Sequence, residues 1–255
     1  MLAELSTTEM AAALDKTAEE ILASAGVAEP PVDAVRIASR LGIQLAWDDR
    51  QTGRARLVRF GRGTGRAERP TIFLRRDPRV ERIHWAVAHE LGEQWSWRVF
   101  QLLGVDPEEA AGEREQVANL LAGRLIVPTC WFAEDCADSK FDLLHLKDRY
   151  PTASHELIAR RMLDRPGLRI VTVFDQGKMS WRRSSAGRRA PPLSKAERAL
   201  WQQHHLHPCT DATESPPPDA KWADIEQETL RCWPIHEPDW KREILLRQIE
   251  TEDFD

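Results

Sequence analysis

His89-Glu90-Leu91-Gly92-Glu93 is the stretch around which the chemistry of this chain is organised. It is one residue short of the H-E-x-x-H pattern, in which two imidazoles one helical turn apart share a zinc ion. That pattern works because residues i and i+4 lie on one helix face. The glutamate beside the first ligand then lies near a metal-held water, where it can act as general base. Here Glu93 stands in the place of the second histidine. A carboxylate also ligates zinc or a harder divalent ion, so the spacing is kept while the ligand type changes. Glu115, on the next predicted helix, supplies a third donor. His89, Glu93 and Glu115 thus form a candidate metal set with an open position for water, and Glu90 is the candidate catalytic base. Without a cation, three carboxylates that close together would resist full ionisation. His84 lies about 500° back along the helix, some 140° off the His89 face. It reads as a structural histidine.

At this point the sequence resembles the ImmA/IrrE-type metallopeptidases. The resemblance rests on Ala88-His89-Glu90-Leu91-Gly92-Glu93 and on the block from Glu115-Gln116-Val117-Ala118-Asn119 to Leu125-Ile126-Val127-Pro128, together with Ser154–Met162, and covers roughly residues 30–175. It implies an α+β fold with a zincin-like helical core and a small three-stranded sheet. It also implies a zinc-dependent endopeptidase acting on a regulatory protein such as a transcriptional repressor. His89 and Glu115 would be ligands and Glu90 the base, while Glu93 departs from the family pattern. A second function of a different class follows from that departure: a catalytically inactive relative that keeps the fold as a binding or regulatory module. Metal content separates the two. DNA binding through a helical pair within 141–163 is a weaker third reading.

The elements that must position these residues follow from hydrophobic periodicity. Helices are expected over 7–25, 32–41, 78–103, 113–126, 138–150 and 154–163, and strands over 43–47, 55–60 and 71–74. Asp77 reads as the cap of the His89 helix, with Pro78 in its first turn. A hairpin is expected around Asp175-Gln176-Gly177. After Gly187 prolines cluster and periodicity weakens. Residues 1–187 therefore read as the metallopeptidase-like domain, and 188–255 as a Pro-rich extension with short helices, dispensable for the core. Trp47, Trp85, Trp95 and Trp97 read as core and boundary packing.

The formal net charge of −5 speaks against a nucleic-acid partner, although Arg62, Arg66, Arg69, Arg75, Arg76 and Arg79 form a local basic cluster. No apolar run is long enough for a membrane span. The start of the chain lacks the basic residues of a signal peptide, so a cytoplasmic location is expected. Its four cysteines include no C-x-x-C pair and read as reduced thiols. The run His204-His205-Leu206-His207-Pro208-Cys209 is the other ligand-rich stretch, and in a Pro-rich tail it reads as adventitious.

Overall fold

The computed structural model describes residues 6–59, 70–208 and 226–251. The fold is α+β, and the chain divides into two compact units: Met1–Lys140 with His145–Ser154, and Phe141–Leu144 with His155–Asp255.

The first unit opens with α1 (Thr7–Ser24), whose start is closed by a capping box between Ser6 and Glu9. Its Leu14, Ala18, Ile21 and Leu22 stripe is buried, as the spacing predicts. After α2 (Ala34–Arg40), capped by Asp33, come β1 (Gln44–Trp47), β2 (Ala55–Val58) and β3 (Thr71–Leu74). The three strands form one sheet in the order β1-β3-β2, parallel between β1 and β3 and antiparallel between β2 and β3. Central β3 buries Ile72 and Leu74, whereas β1 and β2 are edge strands with exposed positions.

The long helix α3 (Val80–Leu102) follows, then a short 3-10 turn, α4 (Arg114–Ile126) and α5 (Thr129–Asp138). Asp77 is not the cap of α3. Its carboxylate accepts the Arg79 N–H at 2.9 Å, closing a turn just before the helix, and Arg79 takes the cap position without a side-chain bond. The single helix expected over 138–150 is likewise broken. Lys140 and Phe141 take positive φ values of 50° and 60°, separating α5 from α6 (Leu143–Arg149), across which the two units divide. Inside the unit, α3 and α4 bury Val87, Ala88, Leu91, Val117, Ala118 and Leu121.

The second unit contains α7 (His155–Met162), β4 (Leu168–Asp175), β5 (Lys178–Ser184), α8 (Lys195–Leu206), β6 (Glu226–Glu237) and β7 (Trp240–Thr251). The expected hairpin is present: Gln176 and Gly177, at φ 50° and 74°, supply the two left-handed positions of a tight two-residue turn. The C-terminal region differs from expectation. The described part beyond Gly187 holds one helix and a pair of 12-residue strands, and the sheet order is β5-β4-β7-β6. The boundary placed at 187/188 therefore falls inside a folded unit. The proline cluster 216–218 and Cys209 lie outside the described residues. Pro234 is tolerated because β6 is the edge of the sheet. Helix α8 covers the sheet through a core of Leu200, Leu230, Cys232 and Leu245.

All eight residues of β4 pair with β7, and its six central residues are buried. A chain ending at Gly187 is thus expected to aggregate, because it leaves the β4 edge and its buried face open. Size-exclusion chromatography beside the full chain checks this. A monomeric fragment with an unchanged melting temperature would show that the C-terminal strands are accessory.

Candidate metal centre

The site lies wholly in the first unit. His89 and Glu93 sit one turn apart on α3, and α4 brings Glu115 to them. His89 Nε2 is 3.5 Å from Glu115 Oε2 and 4.0 Å from Glu93 Oε1. Donor atoms of all three residues lie within 4.8 Å of one another. The sequence-predicted set is brought together, across the packed pair α3 and α4.

Asn119, one turn beyond Glu115, organises this cluster. Its amide NH2 donates to the Glu115 carbonyl at 2.9 Å and to the Glu115 carboxylate at 3.2 Å. Its amide oxygen is thereby turned towards His89 and accepts from Nδ1–H at 3.1 Å. A proton fixed on Nδ1 leaves the Nε2 lone pair free, as for a metal-ligating histidine steadied through its other ring nitrogen. Three donor atoms then converge within 4.8 Å of one another, an arrangement suited to a cation. The donor set fits a divalent ion: one imidazole with two carboxylates is within the range zinc accepts and also suits harder ions such as Mn2+. Asn119 and Arg114 carry no signal as ligands. Asn119 could still be reached from its i+4 spacing to Glu115, which places both on one face of α4.

Glu90 is buried, with the residue only 9% exposed. Burial pushes its carboxyl above the ordinary glutamate value, with the Leu57 N–H and His89 pulling the other way and Glu93 and Glu115 adding to the rise. The Leu57 N–H of edge strand β2 donates to Glu90 Oε2 at 2.7 Å. That bond ties the candidate base to the sheet. Arg114 stands on the other side of Glu93, its guanidinium 3.9 Å from the Glu93 carboxylate and donating to the Glu93 carbonyl at 3.2 Å. A cleft of about 360 Å3 opens here, lined by Leu57, Glu93, Gln94, Trp97, Phe100 and Arg114. Trp97 is 51% exposed at this cleft and Trp47 is 52% exposed under the Arg76 guanidinium, so neither packs in the core. Trp85 and Trp95 are half-buried.

His84 has the structural place expected of it. It is 7% exposed, and its Nδ1 accepts the backbone N–H of Ala34 at 3.3 Å, the first residue of α2. Burial holds its pKa below the ordinary 6.5, against the pull of Asp33 and Glu81. The folded value lies below the unfolded one, so on acidification the unfolded chain binds the proton first. The stability His84 contributes is intact above the unfolded value and is lost as pH falls through the folded one. The melting temperature should therefore decline as pH falls below the ordinary histidine value of 6.5, and His84→Gln should make that decline shallower. Identical slopes for the two proteins would assign the acid sensitivity to other groups.

Of the basic cluster, Arg62, Arg66 and Arg69 lie outside the described residues, while Arg76 pairs with Asp49. Cys130, Cys136 and Cys232 are free thiols. Among the described residues no helix is long and apolar enough to cross a membrane.

The fold and the cluster together define an α+β chain with a candidate metal centre between two helices. No protein-family profile and no curated protein matches it. Among solved structures it is similar to a Mycobacterium tuberculosis transcriptional regulator, with a TM-score of 0.61 at 15% identity, over 92% of this chain and 75% of that one. At that identity the likeness speaks for the fold alone.

Proposed function

We propose that His89, Glu93 and Glu115 hold a divalent ion, zinc by the resemblance of the sequence, and that the chain is a metal-dependent endopeptidase of the cytoplasm. Its substrate would be a regulatory protein such as a transcriptional repressor. The observation that carries this reading is the convergence of three donor atoms, with the His89 tautomer set by Asn119, beside a buried carboxylate. Bound there, the ion would supply Lewis-acid polarisation of a water molecule and of a peptide carbonyl. The residues do the rest. Glu90, made more basic by burial, would serve as the general base that accepts a proton from an attacking water and returns it to the leaving amine. Leu57 N–H holds one Glu90 oxygen in place and leaves the other for this transfer. The cleft at Trp97 and Phe100 accepts apolar side chains of an extended peptide, and Arg114 offers a donor to its carbonyls.

A second reading, the catalytically silent regulatory module, is favoured by two observations. The Glu90 carboxylate already serves the β2 edge, and Arg114 competes for Glu93.

The test is metal content. Purified wild type should carry stoichiometric metal by elemental analysis. Glu93→Ala should release it, and Glu93→His should hold it at least as tightly, because zinc suits imidazole. Asn119→Ala should weaken binding by roughly 10–100-fold, the usual cost of losing a supporting hydrogen bond to a ligand. A wild type free of metal, with Glu93→His acquiring it, would establish the silent reading.

A further inference from the structure

The second unit contains a cluster of a different kind. His205 near the end of α8, His236 on β6 and Glu243 on β7 bring their donor atoms within 4.8 Å of one another. Glu243 Oε1 is 3.0 Å from His205 Nδ1 and 2.6 Å from His236 Nε2. Its other oxygen accepts the Trp201 indole N–H at 3.1 Å. Trp201 is in turn stacked on Phe174, with ring centroids 4.3 Å apart. The carboxylate is fully buried, and among the described residues its ionic partners are the two imidazoles alone.

A buried carboxylate needs a compensating cation. The donor set here is two imidazoles and one carboxylate, the composition zinc takes in many protein sites and a poor one for calcium or magnesium. Metal–donor bonds of about 2.0–2.1 Å in a tetrahedral site put donors roughly 3.3 Å apart. The two observed separations of 3.0 and 2.6 Å are shorter by about 0.3 and 0.7 Å, the spacing of hydrogen bonds, so both imidazoles must move back from Glu243 to admit an ion. The surroundings are prepared as well. Trp201 fixes the non-ligating oxygen, and the imidazole side chains are 26% and 16% exposed, which leaves a path for an ion and a water as fourth ligand. The neighbouring His204 is fully buried and is not one of the converging donors.

We propose that His205, His236 and Glu243 form a second divalent-metal site, for zinc or an ion of similar preference, which clamps the end of α8 to the β6–β7 hairpin. The histidine run of the C-terminal region supplies one of the three ligands, and the strands supply the others. This proposal stands apart from the reading of the α3–α4 centre.

The experiment uses the full chain in the His89→Ala background, so that the first centre does not contribute. After dialysis against Zn2+, the folded protein is expected to retain one equivalent, and addition of His236→Ala should bring it to near zero. His207→Ala, a nearby exposed imidazole, should leave it unchanged. Co2+ bound to the His89→Ala protein should give visible absorption bands that vanish with His236→Ala. Should circular dichroism show that His236→Ala does not fold, His205→Gln, at the helix end, is read in its place. Absence of bound zinc in folded His89→Ala protein would overturn the proposal and leave Glu243 held by hydrogen bonds alone. Zinc that survives both His236→Ala and His205→Gln would do the same.

Discussion

Glu90→Gln is expected to reduce cleavage of a co-expressed repressor by about 10²–10⁴-fold, the usual worth of a positioned general base, while metal content stays at the wild-type level. The substitution is nearly isosteric, and the amide oxygen can still accept the Leu57 N–H that Glu90 accepts at 2.7 Å. It also removes a carboxyl whose charged form burial disfavours. The melting temperature should therefore hold or rise, which separates a loss of activity from a loss of fold. His89 and Glu115 do not depend on Glu90 for their positions, since Asn119 links them directly. The informative pattern is metal retained, fold retained and cleavage gone. Cleavage unchanged by Glu90→Gln would defeat the enzyme reading, and Glu90 would then be a side chain that ties α3 to the β2 edge.

How much of this was legible before the structure depends on the range of the interactions. The α3 cluster is written in local spacing: His89 and Glu93 one turn apart, and Glu115 and Asn119 one turn apart on the next helix. Helix geometry alone puts each pair on one face. The sequence does not say which face of α4 meets α3, and that is decided by close packing at Gly92 and Ala118. The second cluster was illegible for the opposite reason. His205 is 31 residues from His236 and 38 from Glu243, on a helix that meets the β6–β7 hairpin through side-chain packing.

The strands β6 and β7 were hidden by their composition. Pro234 and Pro238 are residues that usually interrupt a strand, and Glu228, Arg231, Arg242 and Arg247 break the apolar alternation that would mark one. In the sheet Arg247 pairs with Glu228 at 2.7 Å and Arg242 with Asp175 at 2.6 Å, each across neighbouring strands. A local signal was available: Glu237-Pro238-Asp239-Trp240 is a turn sequence, and Asp239 does take a positive φ of 63°. Helix α5 is hidden in the sequence because Pro128, just past α4, carries the signal of a helix stop. It also opens the next helix, at whose cap position its missing N–H costs nothing. Trp97 follows the same lesson from the other side. Its residue type suggests a core, and its position at the cleft keeps half of it in water.

Gly92→Ala is expected to damage both stability and metal binding, although alanine is the better helix former by roughly 1 kcal/mol. A methyl group at this position would lie 2.5 Å from the Ala118 carbonyl oxygen and 3.1 Å from the Ala118 carbonyl carbon and Cα. These are backbone atoms inside α4, so no side-chain rotation relieves the contact. The helices must move apart, at a cost of about 1–3 kcal/mol for overpacking of this kind, with a rigid backbone neighbour placing it at the upper end. Separation of α3 from α4 carries Glu115 and Asn119 away from His89 and Glu93, because those pairs are split between the two helices. The loss of zinc affinity should thus exceed the roughly 10–100-fold expected for Asn119→Ala. Gly112→Ala is the control, since nothing lies within 4 Å of the added methyl group there. Thermal melts and zinc titrations of the two variants decide the matter. If Gly92→Ala binds zinc like wild type, the close approach of α3 and α4 does not set the site, and Glu115 is not a ligand.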